Sequence, residues 1–174
     1  MKHMKTTTTS TYPATPKRGY AQAAATALAF FFLLLPQIAS STQTTVSSLP
    51  YTASKSGDTL TLSGTKLSST GSGILISGSN VLLNLGSDTL EFGSAGGSSI
   101  YGIRIQSAAN VKIVGGLVRK SGSAGSSVCG IKVTNANNLL VSNTDVTVDG
   151  HDANCVWVEG GLPNTFNVEF AGGD

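Results

Sequence analysis

Between Asp145 and Asp174 stand six carboxylates, Asp145, Asp149, Asp152, Glu159, Glu169 and Asp174, and no Lys or Arg follows Lys132. Oxygen donors of this kind suit calcium, so Asp149 and Asp152 are the candidate ligands. Upstream, Arg104 and Lys132 could meet an anion. Trp157 is the only tryptophan, and an exposed indole offers a flat platform for a ring. His151 is the only histidine beyond the first few residues. With Arg104, Lys132 and Trp157 it makes up the set of candidate substrate contacts. Cys129 and Cys155 are the only cysteines, 26 positions apart. That spacing is close to the repeat described below, so a disulfide between neighbouring units is expected, with two free thiols the alternative.

Charge narrows the partners. Of 11 basic residues, Lys2, Lys5, Lys17 and Arg18 lie at the extreme N-terminus. Residues 42–174 therefore carry 7 basic against 9 acidic groups. A chain relying on phosphate neutralisation needs the opposite balance, so nucleic acid is excluded as the expected partner. Charged residues are 11% and glycines number 21, a composition that suits neither long helices nor a disordered chain.

The N-terminus reads as an address. A basic stretch precedes the apolar run from Ala23 to Leu35. Pro36 and the small residues Ala39, Ser40 and Ser41 follow, the order of parts in a secretory signal peptide. Residues 1–41 are assigned to it, with cleavage after Ser41 or Ser40, an uncleaved anchor over Ala21–Ala39 as the alternative, and an extracellular destination. No membrane contact is expected after cleavage. Residues 42–56 read as a Ser/Thr-rich linker or N-terminal cap, and residues 57–174 as the folded domain.

The elements that must position the candidate residues come from a repeat. Gly73-Ile74-Leu75-Ile76, Gly102-Ile103-Arg104-Ile105 and Gly130-Ile131-Lys132-Val133 open three copies whose glycines are 29 and 28 residues apart. Each copy continues through a polar turn ending in Asn80, Asn110 or Asn138 into a second alternating stretch. Third strands follow at Thr89–Phe92 and Asp145–Val148. A unit of about 28 residues with three short strands fits one turn of a solenoid better than a propeller blade. Alternation sends Ile74, Ile76, Ile103, Ile105, Ile131 and Val133 inward, with Val81, Leu83, Val111, Ile113, Leu139 and Val141. The recurrent asparagines suit left-handed turns and could bond one another as a ladder. If Cys155 aligns with Gly130, the outward column reads Leu75, Arg104, Lys132, Trp157.

These repeats, with phrases such as Asn138-Leu139-Leu140-Val141-Ser142-Asn143, resemble the right-handed parallel β-helix proteins of the pectin lyase-like superfamily. The resemblance covers residues 57–174 and implies an all-β, right-handed parallel β-helix of about four rungs. It also implies a polysaccharide, acidic in character, as partner. Asn143-Thr144-Asp145 matches the first polygalacturonase motif, and Asp152-Ala153-Asn154-Cys155 loosely follows the Asp-Asp-Cys strand. Gly-His-Gly and Arg-Ile-Lys are missing. On this resemblance Asp145 and Asp152 are the candidate catalytic carboxylates of a glycosidase, which works with two carboxyl groups flanking the bond. β-Elimination of a uronate, with calcium at Asp149 and Asp152, is the second chemistry. A non-catalytic glycan-binding, surface or end-to-end assembling β-helix is the alternative, as is a fragment of a larger enzyme.

Overall fold

The computed structural model describes residues 41–122, 125–150, 152–160 and 168–172. All regular structure among them is β-strand. The strands are β1 (Gln43–Val46), β2 (Tyr51–Ala53), β3 (Thr59–Leu62), β4 (Lys66–Ser68), β5 (Ile74–Ile76), β6 (Leu82–Phe92) and β7 (Tyr101–Gln106). They continue with β8 (Ala109–Lys120), β9 (Cys129–Thr134), β10 (Asn137–Ser142), β11 (Asp145–Thr147), β12 (Asn154–Glu159) and β13 (Val168–Ala171).

One sheet runs β1-β3-β6-β8-β10-β13, with β4 beside β6 and β11 beside β8, and the other runs β2-β5-β7-β9-β12. Every pairing between these strands is parallel. Parallel neighbours need a long crossover, normally a helix. Here the crossover is itself a strand of the other sheet, so the chain alternates between the two. The first strands β1 and β2 lie within the stretch assigned to linker or cap, and they pair with β3 and β5.

The register explains the repeat. Ile74, Ile103, Ile131 and Val156 are successive partners, as are Ile76, Ile105, Val133 and Val158. On the opposing sheet Leu60, Leu83, Ile113 and Val141 align. A third file is Leu67, Leu90, Val118 and Val146. Ile74, Ile76, Ile103, Ile105, Ile131 and Val133 are fully buried, and all six second-strand residues expected inside are buried too. At about 25 cal/mol per Å² of apolar surface removed from water, these files are the main favourable contribution to the fold. β-Branched side chains suit it, being stiff and fitted to a pleated surface.

Between the files the turns are fixed by asparagine. Asn80, Asn110 and Asn138 hold φ of 57°, 56° and 52°. Asn110 Nδ2 donates to Asn80 Oδ1 at 2.9 Å, and Asn138 Nδ2 donates to Asn110 Oδ1 at 2.9 Å. The amides thus form the expected ladder, with Asn110 at its centre both accepting from Asn138 and donating to Asn80. The leading glycines have a different cause. A Cβ on Gly102 would stand 2.6 Å from Val118 Cγ1 and 2.8 Å from the Gly130 carbonyl oxygen. Both Gly102 and Ile103 are buried, breaking strict alternation. Tyr101 and Arg104 consequently both stand on the outer side.

Candidate functional site

The outer side of β7, β9 and β12 carries the candidate site. Arg104 pairs with Leu75 on one flank and Lys132 on the other, and Lys132 pairs with Trp157. The same register sets Tyr101, Cys129 and Asn154 side by side. Above these two rows lies a cavity of about 300 Å³, lined chiefly by Tyr101, Arg104, Cys129, Lys132, Asn154 and Trp157. Ser99 and Ser127, from the turns leading into β7 and β9, close one side. Both take left-handed φ, 57° and 55°. Their backbones are tied by a hydrogen bond from Ser99 N–H to the Ser126 carbonyl at 3.1 Å. The cavity therefore rests on a hydrogen-bonded sheet and on tied turns, which keep its lining in place.

Its electrostatics are uneven. The Arg104 guanidinium lies 5.5 Å from the Tyr101 ring centroid, and Lys132 Nζ lies 5.8 Å from that of Trp157. Both distances are within cation–π range. Lys132 Nζ also pairs with Glu159 Oε2 at 3.0 Å. Arg104 has no such carboxylate among the described residues, and its Nε is buried without a hydrogen-bond partner. Unpaired buried donors are costly, and a ligand acceptor would relieve that cost. Trp157, 46% exposed, leaves much of its indole open to an incoming ring.

Cys129 lies on the cavity wall, where its Sγ–H donates to the Ile131 carbonyl at 3.1 Å. Burial pushes its pKa up to about 11, so at neutral pH it is a thiol, not a nucleophilic thiolate. The expected disulfide is absent, for Cys129 is buried and free and Cys155 exposed and free. The reason is register. Cys129 pairs with Asn154, which puts Cys155 one place on, opposite Gly130. One residue along a strand reverses the direction of a side chain, so the two thiols do not share a ladder position.

The carboxylates are dispersed. Asp145 opens β11 beside Leu117, in the other sheet, and is exposed. Asn143 before it takes a left-handed φ of 52°, and the Thr144 hydroxyl, buried, donates to the Ser142 carbonyl at 3.3 Å. Asn143 and Thr144 are thus accounted for by turn geometry. Asp152 is exposed in the turn before β12, with φ 54°. It precedes Asn154 of the cavity by two residues. Asp149 is exposed in the same connection. Among the described residues no three His, Cys, Asp or Glu side chains gather as a metal site. His151 lies outside the described residues.

A second charged group escaped the sequence reading. Ser68, Glu91 and Arg119 are successive partners across β4, β6 and β8. Glu91, only 7% exposed, receives Lys66 Nζ at 2.7 Å, Arg119 Nη2 at 2.7 Å and the Ser68 hydroxyl at 3.0 Å. Lys66 foremost, then Arg119, holds its pKa down at about 2. The signal lay in the repeat, since Glu91 and Arg119 are one period apart. The cavity row also had a signal. Ile103-Arg104, Ile131-Lys132 and Val156-Trp157 repeat an apolar residue followed by an outward one at matching places of the repeat.

The chain is thus an all-β protein of interleaved parallel sheets with a cationic and aromatic cavity on one outer face. Comparison with known protein families, curated proteins and solved structures finds no match to it.

Proposed function

We propose that the chain is a secreted right-handed parallel β-helix, similar to the pectin lyase-like superfamily, that binds an acidic polysaccharide across β7, β9 and β12. Interleaved parallel strands, the asparagine ladder and partners 25–29 residues apart at Ile74, Ile103, Ile131 and Val156 support the coil. A right-handed winding agrees with the handedness of parallel crossovers. Secretion rests on residues 1–41, of which 1–40 lie outside the described residues. The observation that carries the binding reading is the cavity itself. Two cations and an exposed indole converge on about 300 Å³, the small end of the range for ligand pockets. A sugar ring stacks on Trp157 while its carboxylate meets Arg104.

Binding is favoured over cleavage because Asp145 stands in the other sheet, away from the cavity lining. Affinity electrophoresis in gels containing polygalacturonate tests the reading. Wild type should be retarded and Arg104→Ala should not, with neither retarded in neutral galactan. Equal mobility of both proteins in both gels would overturn it. The same substrate, incubated with and without calcium, distinguishes activity. Unsaturated ends dependent on calcium would make the protein a lyase, new reducing ends without it a hydrolase.

A further inference from the structure

Glu159 stands beside the cavity without lining it. Its carboxylate is 3.0 Å from Lys132 Nζ, and its side chain is 49% exposed against 29% for that of Lys132. The register explains the approach, since Glu159 pairs with Thr134, two positions beyond the Lys132–Trp157 pair. The lining holds two cations, Arg104 and Lys132, and no carboxylate. With Glu159 seated on Lys132, the local charge is one positive unit, and its unsatisfied donor is on Arg104. Asp152, in the turn ahead of Asn154, has an interaction of its own.

We infer that Glu159 sets the charge selectivity of the cavity, so that it takes a sugar bearing a single carboxylate in preference to a dianion. This rests on the reading of the cavity as an acidic-sugar site. The ligand carboxylate accepts from Arg104, and Lys132, already paired, contributes its stem and its contact with Trp157. A phosphorylated sugar brings a second charge that needs a second uncommitted cation, and Glu159 withholds it. Because a Coulomb energy scales with ligand charge, removing Glu159 favours the dianion over the monoanion.

Calorimetric titration of the purified chain with galacturonate, galactose 6-phosphate and galactose provides the test. Wild type should bind galacturonate tightest. Glu159→Gln should tighten galacturonate by about two- to fivefold, the scale of an exposed ion pair. It should tighten galactose 6-phosphate by roughly the square of that factor, leaving galactose unchanged. Glu159→Ala should behave as Glu159→Gln, whereas Glu159→Asp should keep the wild-type order. If galacturonate binds wild type and is lost in Arg104→Ala but Glu159→Gln changes neither anion, the binding reading stands and this inference is overturned. If no protein binds either anion, both fall together.

Discussion

Two outer faces of the molecule carry cations, and they treat them differently. On the β4–β6–β8 face, Lys66 and Arg119 converge on the buried Glu91 carboxylate, and Ser68 completes its shell. On the β7–β9–β12 face, Lys132 is matched by the exposed Glu159, and Arg104 lies over Tyr101 with its Nε unsatisfied among the described residues. The first is a closed arrangement with little left to offer a ligand. The second keeps donors and an indole beside a cavity. The same repeat thus builds a clasp on one side and, as proposed, a binding surface on the other. What separates them is where the register places a carboxylate.

Both faces depend on the apolar files beneath them, so the largest effect should come from there. Ile131→Ala removes a fully buried side chain and should cost about 2–5 kcal/mol, read from urea denaturation. Both the clasp and the cavity should loosen. Next, Glu91→Gln should cost about 1–3 kcal/mol while leaving sugar binding unchanged. The pH dependence has a definite sign. Because its folded pKa is about 2, below the ordinary 4.5, the stability from ionised Glu91 is fully present above pH 4.5. It is lost as pH falls through about 2. Thermal melts of wild type and Glu91→Gln should therefore differ at pH 6 and converge in acid. A constant gap across that range would reject the clasp.

Smaller still, Asn110→Ala should cost about 1–2 kcal/mol by equilibrium denaturation. It removes both ladder bonds and places alanine at φ 56°. Finally, Cys155 should react with iodoacetamide in the native protein and Cys129 should not, giving one adduct by mass spectrometry and two after unfolding. Two rapid native adducts would contradict the buried cavity wall.

Most of the all-β framework could be read from spacing. Ile103 and Ile131 are one period apart and face one way, and Asn80, Asn110 and Asn138 sit where a left-handed turn is needed. A strict period is visible in one dimension because neighbours in space are a constant distance along the chain. Register at single-residue precision is less visible. The separation of Cys129 and Cys155 suggested a bridge, but β9 and β12 are offset by 25 residues at Cys129 and Asn154, and the thiols miss by one place. Glu91 was placed on a strand, yet its companions Lys66 and Arg119 lie in other copies, and burial of a charge leaves no mark in sequence. Arg104, Lys132 and Trp157 were expected in one column, and the register aligns them. The cavity over that column was not legible, because Tyr101 and Cys129 join its lining through the break in alternation at Gly102 and Gly130.

Trp157 is the only indole in the chain, so its fluorescence reports on the cavity alone. Titrating the purified protein with an oligogalacturonide should give a saturable change in Trp157 emission that weakens with added salt and disappears in Arg104→Ala. Emission that stays constant over the whole titration, or changes equally with a neutral oligosaccharide, would contradict the assignment of this face to an acidic glycan.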